Sequence, residues 1–531
     1  MRSKRSYLAI GALCVGFLFL GGTLEAQNAA AGRHVGVVQD WSDRNIVFTY
    51  DGLQQHPELL NTEPRIAHKL MQRLQTPSPA FLHNTEEAAQ VGGHRDWSFP
   101  MGRGHIGTNM YPAKYSFDPS QAPSCQNDFV AFGLDTGGAK NGQANMVGLN
   151  NLYSGTGGLC GASPTVLFAY DVTTGNGKVA TSPVLSEDGT KIAFVESQGA
   201  ASIFHVLTWK AGQGTSVTAA VVPTTMTSLT YSSFSTTTSS PWIDYSDDIA
   251  YVGDDNGTIY EISPVFTGTP ALVRSITVSS GYRMSPPVLD REIGQLLVGS
   301  RNGDLYEIDT ASGDLSALII GAHGGTNPGV LAPPIIDITS GTAFVTSSND
   351  GTSAVLVQVD ISTLTQLAKA RIGIGAHSKT VLSIGQPALD NNYYNNPSTG
   401  TIYACGTGVG TDTSPWLYTF GFSGIDMNTS PTTQQQLLTS TAATCTNFSE
   451  FFNVNLNTDF FFFGLTQDCT GTGTSGCVLA LTSSSLLTAP VAGGPSGIVV
   501  DNYSSQPQAS SIYLTGEKVN SAFKFTQQGL Q

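Results

Sequence analysis

The sequence predicts an all-β chain: a β-propeller of about eight four-stranded blades, with seven as the alternative count. Three observations predict it. First, residues 240–314 read as two copies of one unit, SPWIDYSDDIAYVGDDNGTIYEIS and SPPVLDREIGQLLVGSRNGDLYEID. Gly253, Asn256, Gly257, Tyr260, Glu261 and Ile262 of the first recur as Gly299, Asn302, Gly303, Tyr306, Glu307 and Ile308, each 46 residues later. Second, each copy runs Ser-Pro, apolar run, Asp, second apolar run, Asn-Gly, third apolar run. Asn-Gly between apolar runs signals a hairpin whose two central residues both take positive φ. Third, the variable segment before the next Ser-Pro leaves room for a fourth strand. Four short strands every 40–50 residues or so is the period of a propeller blade. One such sheet cannot bury both faces, and stacking around an axis does.

Taken in order, residues 1–26 have the pattern of a secretory signal. Arg2, Lys4 and Arg5 precede an apolar stretch from Leu8 to Leu20, and cleavage after Ala26 or Ala31 fits the small-residue rule. Residues 27–115 form an N-terminal arm of different texture. VGVVQDWSDRNIVFTYDG carries two strand-like runs. NTEPRIAHKLMQRLQTP is the one strong helix pattern, with Asn61 or Thr62 as cap, Pro64 in the first turn and Ile66, Leu70 and Leu74 on one face beside Ala67 and Met71. An Asp-Trp-Ser step occurs at residues 40–42 and again at 96–98. Residues 116–531 carry the repeats. A first unit ends at TVLFAYDVTTG, and the next opens at Ser182 with Asp188-Gly189 as its turn. The central pair follows. Pro333 and Pro334 then lie 47 residues after Pro286 and Pro287. A looser copy at Gln386 carries an inserted Asn-rich turn. Closure of a ring by a strand from the other terminus is expected, and IVFTY near residue 48 is the candidate.

A chain of 531 residues exceeds the roughly 250–300 at which one conventional core stops growing, and radial repetition removes that limit. Only 12% of residues are charged, against a usual share of about 25%. The net charge is −15, and removal of residues 1–26, which hold Arg2, Lys4, Arg5 and Glu25, makes it −17. So acidic a surface, with so little Lys and Arg, argues against nucleic acid or anionic membrane as partner. No stretch after residue 26 is long and apolar enough to cross a bilayer, so a monomer without stable membrane insertion is expected. Outside the signal there are six cysteines, an even number that favours disulfides in an exported chain. The pairing chosen among fifteen possible is Cys125 with Cys160, Cys405 with Cys445, and Cys469 with Cys477.

The repeats, most clearly over residues 182–360, resemble the quinoprotein (PQQ-like) β-propeller repeat superfamily. The shared pattern is Ser-Pro, Val-Gly, then Gly-x-Leu/Ile-Tyr-x-Ile/Leu-Asp. The N-terminal part is similar to that of secreted bacterial proteins without an assigned function. The resemblance implies the fold directly, and for the family's enzymes a quinone with calcium. Those enzymes carry Ala-x-Asp-x-x-Thr-Gly followed by a docking Trp. Here Ala169, Asp171, Thr174 and Gly175 match, but Val179 stands at the Trp position. Around Asp309 and Gly313 the Thr is Ser312 and the aromatic is missing. No adjacent cysteine pair exists. The expectation is therefore no cofactor, neither PQQ nor calcium.

No catalytic or metal set stands out. Asp254, Asp255 and Asn256 suggest calcium in isolation, but the next copy has Ser300, Arg301 and Asn302 there, so turn chemistry is expected. His323-Gly324-Gly325 has the form of an esterase oxyanion loop without any G-x-S-x-G elbow. His377 and Lys379 lie in a comparable inter-blade loop. Trp209, Trp242 and Trp416, with the Phe460 to Phe463 run, read as blade packing, and no carboxylate pair for glycan cleavage can be selected. The functional expectation is a periplasmic or extracellular, non-enzymatic scaffold whose loops bind a protein or glycan. The alternative is a quinoprotein-like oxidoreductase or a propeller-type glycan hydrolase.

Overall fold

The structure, a computed structural model, describes residues 37–39, 45–74, 94–116, 123–322, 329–373, 384–454, 456–469, 475–501, 508–517 and 519–526. The signal pattern, the first Asp-Trp-Ser step and the loops holding His323, His377 and Lys379 lie outside these residues.

Eight sheets follow one another along the chain. The innermost strands of blades 1 to 8 are Ala113–Ser116, Val184–Leu185, Trp242–Asp244, Val288–Asp290, Ile335–Asp337, Ala388–Leu389, Ser449–Asn453 and Val499–Asp501. Several consecutive inner strands lie side by side, blades 3, 4 and 5 in one run and blades 6, 7 and 8 in another. Ring stacking thus buries both faces of each sheet, as the repeat requires. Inner strands such as Trp242–Asp244 and Ile335–Asp337 are buried at every position.

The central repeat folds as its pattern demands, with one difference. Gly257 (φ 89°) and Gly303 (φ 99°) occupy the left-handed region, but Asn256 and Asn302 do not. The turn is a longer loop. In blade 3 the Asp254 N–H donates to the Thr258 carbonyl, and an Asp254 carboxylate oxygen accepts from the N–H groups of Asn256 and Thr258. That supports the reading of Asp254 as a turn residue. A β-carbon on Gly257 would meet the Ser279 carbonyl oxygen at 1.8 Å, so the position admits only glycine.

The closing strand differs from the expectation. His94–Pro100, which holds the second Asp-Trp-Ser step, pairs antiparallel with Ser521–Thr526 and completes blade 8. Ile46–Val47 instead joins blade 5, parallel to Ile335–Asp337. Val37–Gln39 adds to the inner strand of blade 1. Pairing decides this: His94–Pro100 presents Trp97 inward to Leu152, while Ile46 and Val47 are apolar on both faces and suit the closed interior.

The arm also holds more helix than expected. α1 (Tyr50–Gln55) is capped by Thr49, whose hydroxyl accepts from the Gly52 N–H. α2 (Leu59–Thr62) and α3 (Pro64–Leu74) follow. The Asn-rich insertion of blade 6 is a short helix, α4 (Asn391–Asn395), because Asp390 caps it by accepting from the Tyr393 N–H. The six cysteines pair as chosen: Cys125 with Cys160 in blade 1, Cys405 with Cys445 between blades 6 and 7, and Cys469 with Cys477 in blade 7.

Candidate functional site: the two mouths of the axial channel

At the mouth where the inner strands end, α3 lies across the channel. Arg65 meets blade 3, while Lys69 and Arg73 meet blades 6 and 7 on the opposite side. The face that docks is not simply the apolar one. Arg65, Lys69 and Arg73, spaced i, i+4, i+8, are all buried, with Ile66 between them at 1% exposure. Ile66 joins a cluster that includes Ile243, Leu289, Ile336 and Val499 of four different blades.

Each cation has a built seat. The Arg65 guanidinium stacks over Trp242, is gripped by both carboxylate oxygens of Glu63, and donates to the Ile243 carbonyl at 3.0 Å. Arg73 lies over Tyr394, 3.8 Å from its centroid, and donates to both oxygens of Glu450 at 3.0 Å and to Asn391 at 2.9 Å. Lys69 donates to Glu450 at 3.2 Å. Burial alone would raise the Glu450 carboxyl, but Arg73 and Lys69 outweigh it and hold it below its ordinary value. Asp459 on the neighbouring strand goes the other way. Burial, then the Glu450 charge, push it up to about 8.

Five inner strands or their ends carry a buried Asp: Asp244, Asp290, Asp337, Asp390 and Asp501. Four of them cap turns. Asp244 accepts from the Ser246 and Asp247 N–H groups, Asp290 from Glu292, Asp337 from Thr339 and Ser340, and Asp390 from Tyr393 and Thr401. Asp501 instead pairs with Lys114 of blade 1 at 3.0 Å, both side chains fully buried. This ring of acids is blade architecture. Glu450 and Asp459 do have carboxyls driven apart, as two-carboxylate hydrolysis needs, yet Glu450 is buried against the cations of α3 and the half-buried Asp459 accepts from the Asn391 N–H.

At the other mouth, where the inner strands begin, Asn109, Met110 and Tyr111 enter the channel. The Tyr111 N–H donates to Ser182, the Asn109 carbonyl accepts from Asn447, and the Met110 carbonyl accepts from the Gly497 N–H. Hydroxyls of the Ser-Pro steps, Ser182 and Ser240, face the Met110 sulfur at 3.7 and 3.2 Å. The cavity left there is about 30 Å³ and is walled by residues such as Pro286, Leu331 and Ile384. That is room for water, whereas pockets for sizeable organic ligands run to about 300 Å³ or more. Its described lining offers no cation or tryptophan to hold a polycyclic tricarboxylate, so these residues do not fit a quinone cofactor. Val179, at the docking-Trp position, is fully buried and fills the space above Gly133.

The other residues singled out from sequence fall where packing places them. Trp242 is 1% exposed on its inner strand, Trp416 lies in Pro415–Ser423, and Trp209 follows Ser202–Thr208 and stacks near Phe129 and Phe168. Phe460 to Phe463 are core. Among the described residues, no three His, Cys, Asp or Glu side chains gather as metal ligands would, and no helix is long and apolar enough to cross a membrane. Sequence reasoning missed Glu450, Asp459 and the cation stripe. The stripe's only trace is the i, i+4, i+8 spacing of Arg65, Lys69 and Arg73.

No protein-family model and no curated protein matches the sequence. Solved structures do match in shape. BamB from Moraxella catarrhalis is 12% identical with a TM-score of 0.49, over 82% of this chain and 99% of that one. Sqt1 from Saccharomyces cerevisiae is 10% identical with a TM-score of 0.48, over 82% and 98%. The Dos1 propeller is 10% identical with a TM-score of 0.47, over 83% and 95%. The eight sheets of the chain itself make it an eight-bladed β-propeller.

Proposed function

We propose that the protein is an exported, non-enzymatic propeller that holds a protein or glycan partner on the outside of its ring. One observation carries this reading. The chain's own arm fills both ends of the channel, α3 at one mouth and Asn109 to Tyr111 at the other. In a propeller enzyme the axial channel is the natural place for chemistry. Here the acids at one mouth are paired or capping turns, and the cavity at the other holds little more than water. What remains open is the rim and the inter-blade loops. Three disulfides suit an oxidising compartment, in line with the signal pattern of residues 1–26.

The test is affinity capture with the tagged protein from native envelope and medium. A partner should be retained, and substitutions in inter-blade loops should abolish its capture with no change in melting temperature. Absence of any retained partner, or turnover of a quinone-linked or glycan substrate by the pure protein, overturns the reading.

A further inference from the structure

Among the described residues, no strand pairs with the outer edge of blade 4, Leu315–Ile319, whose side chains are largely apolar. Exposed sheet edges are normally blunted by charge, proline or a cover. Blade 1 is covered: residues 212, 213 and 221 exchange backbone hydrogen bonds with Leu167 and Ala169 of its outer strand. Blade 8 is covered by His94–Pro100. The outer strands of blades 3, 5 and 7 carry Arg274, Lys369 with Arg371, and Pro490. Those of blades 2 and 6, Met226–Ser232 and Thr433–Gln436, lack charge and proline but are mostly polar. Leu315–Ile319 has no charge and no proline, and Leu315 and Ile319 are 41% and 62% exposed.

Its free backbone groups can be assigned. Asp309 donates to the Asp314 carbonyl, and Ile320 donates to the Gly303 carbonyl. In an antiparallel ladder bonded and non-bonded pairs alternate. With Tyr306 opposite Ala317, that alternation turns the N–H and C=O of Leu315, Ala317 and Ile319 away from blade 4 and toward an incoming strand.

A second observation concerns charge, and it comes from the repeat. In blade 3, Glu261 stands opposite Arg274, which binds it at 2.6 Å and ties on to the Thr310 carbonyl of blade 4. In blade 4 the equivalent acid is Glu307, and the residue opposite is Ser316. Glu307 lacks that cation. One of its carboxylate oxygens is buried and accepts no hydrogen bond, and Asp309 and Asp360 nearby add only like charge. Ser316 is small enough for a longer side chain to reach across it.

We propose that Leu315–Ile319 is a docking edge for an extended segment of a protein partner, which adds as a fifth strand to blade 4 and places an arginine or lysine toward Glu307. The partner's backbone pairs with Leu315, Ala317 and Ile319. Its alternate apolar residues cover the exposed side chains, and its cation supplies to Glu307 what Arg274 supplies to Glu261. The surface belongs to the rim, so the inference rests on the scaffold reading and names the partner's class.

The probe is a soluble, end-blocked peptide of valine alternating with threonine around one arginine, compared with its twin carrying glutamate, by fluorescence anisotropy. The arginine peptide should bind at least about tenfold tighter than the twin, the scale of one charge-assisted contact. Ala317→Pro removes an outward N–H and leaves the inner ladder intact, so it should abolish binding at unchanged melting temperature. Ile319→Lys, a charge placed on the edge, gives a second and gentler block. Glu307→Gln should bring the two peptides within about twofold of each other. Equal binding of the twins to the wild type, no binding of either, or binding unaffected by Ala317→Pro overturns the proposal. So does a concentration-dependent dimer in sedimentation that Ile319→Lys dissolves, because the edge then belongs to a second copy. If the peptide fails while a native partner is still captured through the loops, the strand site falls and the scaffold reading stands.

Discussion

The guanidinium of Arg65 lies 3.7 Å from the centroid of the Trp242 indole, so a side chain of the arm is stacked on the innermost strand of blade 3. The same group is held by Glu63 and by the Ile243 carbonyl, and is 1% exposed. Charge, planarity and fork geometry are used together here. A lysine keeps the charge and loses the other two. Arg65→Lys is therefore expected to cost about 1–3 kcal/mol, read as a shift of the urea midpoint at unchanged slope. A change of less than a few tenths of a kcal/mol would show that the stack is incidental to arm docking.

Glu450 faces two buried cations at once. Removing its charge leaves Lys69 and Arg73 without their carboxylate in a closed site. Breaking a buried pair from one side typically costs about 3–5 kcal/mol, and Glu450→Gln should fall in that range. Replacing Glu450, Lys69 and Arg73 together by leucine and methionines should recover most of the loss, because no orphaned charge remains. Equal destabilisation in the single and triple variants would mean that packing of α3, not charge pairing, holds the arm.

Asp459 gives the molecule a pH signature. Its carboxyl is raised from an ordinary 3.8 to about 8, first by burial and then by the Glu450 charge, so the folded protein keeps it protonated where the unfolded chain ionises it. Its contribution to stability is complete below pH 3.8 and is lost progressively as pH rises through 8. Asp459→Asn is neutral throughout and can still accept from the Asn391 N–H. The two melting temperatures should nearly coincide near pH 4 and diverge in favour of Asn up to about pH 8, then run parallel. Asp290, raised to about 6, is common to both proteins and cancels in the difference. A gap independent of pH would refute the assignment.

What could be read in the sequence was what repeats or stays local. The 46-residue offset, the Asp at the end of inner strands and the glycine of each hairpin all recur, and each has a local cause, as at Gly257 and Asp254. The three disulfides join cysteines at most 40 residues apart, so proximity in sequence guided the pairing. What was hidden depends on partners far along the chain. Lys69 meets Glu450 across 381 residues, and periodicity alone gave α3 only an apolar face. The closing strand was misassigned for the same reason. Ile46–Val47 reads as a strand, whereas His94–Pro100 stands out only by its repeated Asp-Trp-Ser step, and the tertiary partner alone shows which of the two closes the ring. Asn391–Asn395 read as a turn because the Asp390 cap that makes it helical was counted as the end of a strand.

Closure of the ring rests on Asp96 of the second Asp-Trp-Ser step. The Lys524 ammonium lies 2.6 Å from its carboxylate, with both side chains at most 1% exposed, and Thr526 donates to the same oxygen. Burial pulls the lysine below its ordinary value and Asp96 pulls it back up. Asp96→Ala strands that lysine on the strand that Asp96 joins, so it should cost about 3–5 kcal/mol. It should also act locally before it acts globally. Backbone amides of Ser521–Thr526 that bond across to His94–Pro100 should exchange with solvent faster, ahead of those in blades 3 and 4, because separation of the last blade's edge needs no other blade to open. Trp97, whose indole N–H donates to the Leu152 carbonyl of blade 1, adds a second tie across the seam, and Trp97→Phe should reproduce the exchange pattern with a smaller loss. Uniform loss of protection across all blades would mean that the seam is not the point where the ring opens.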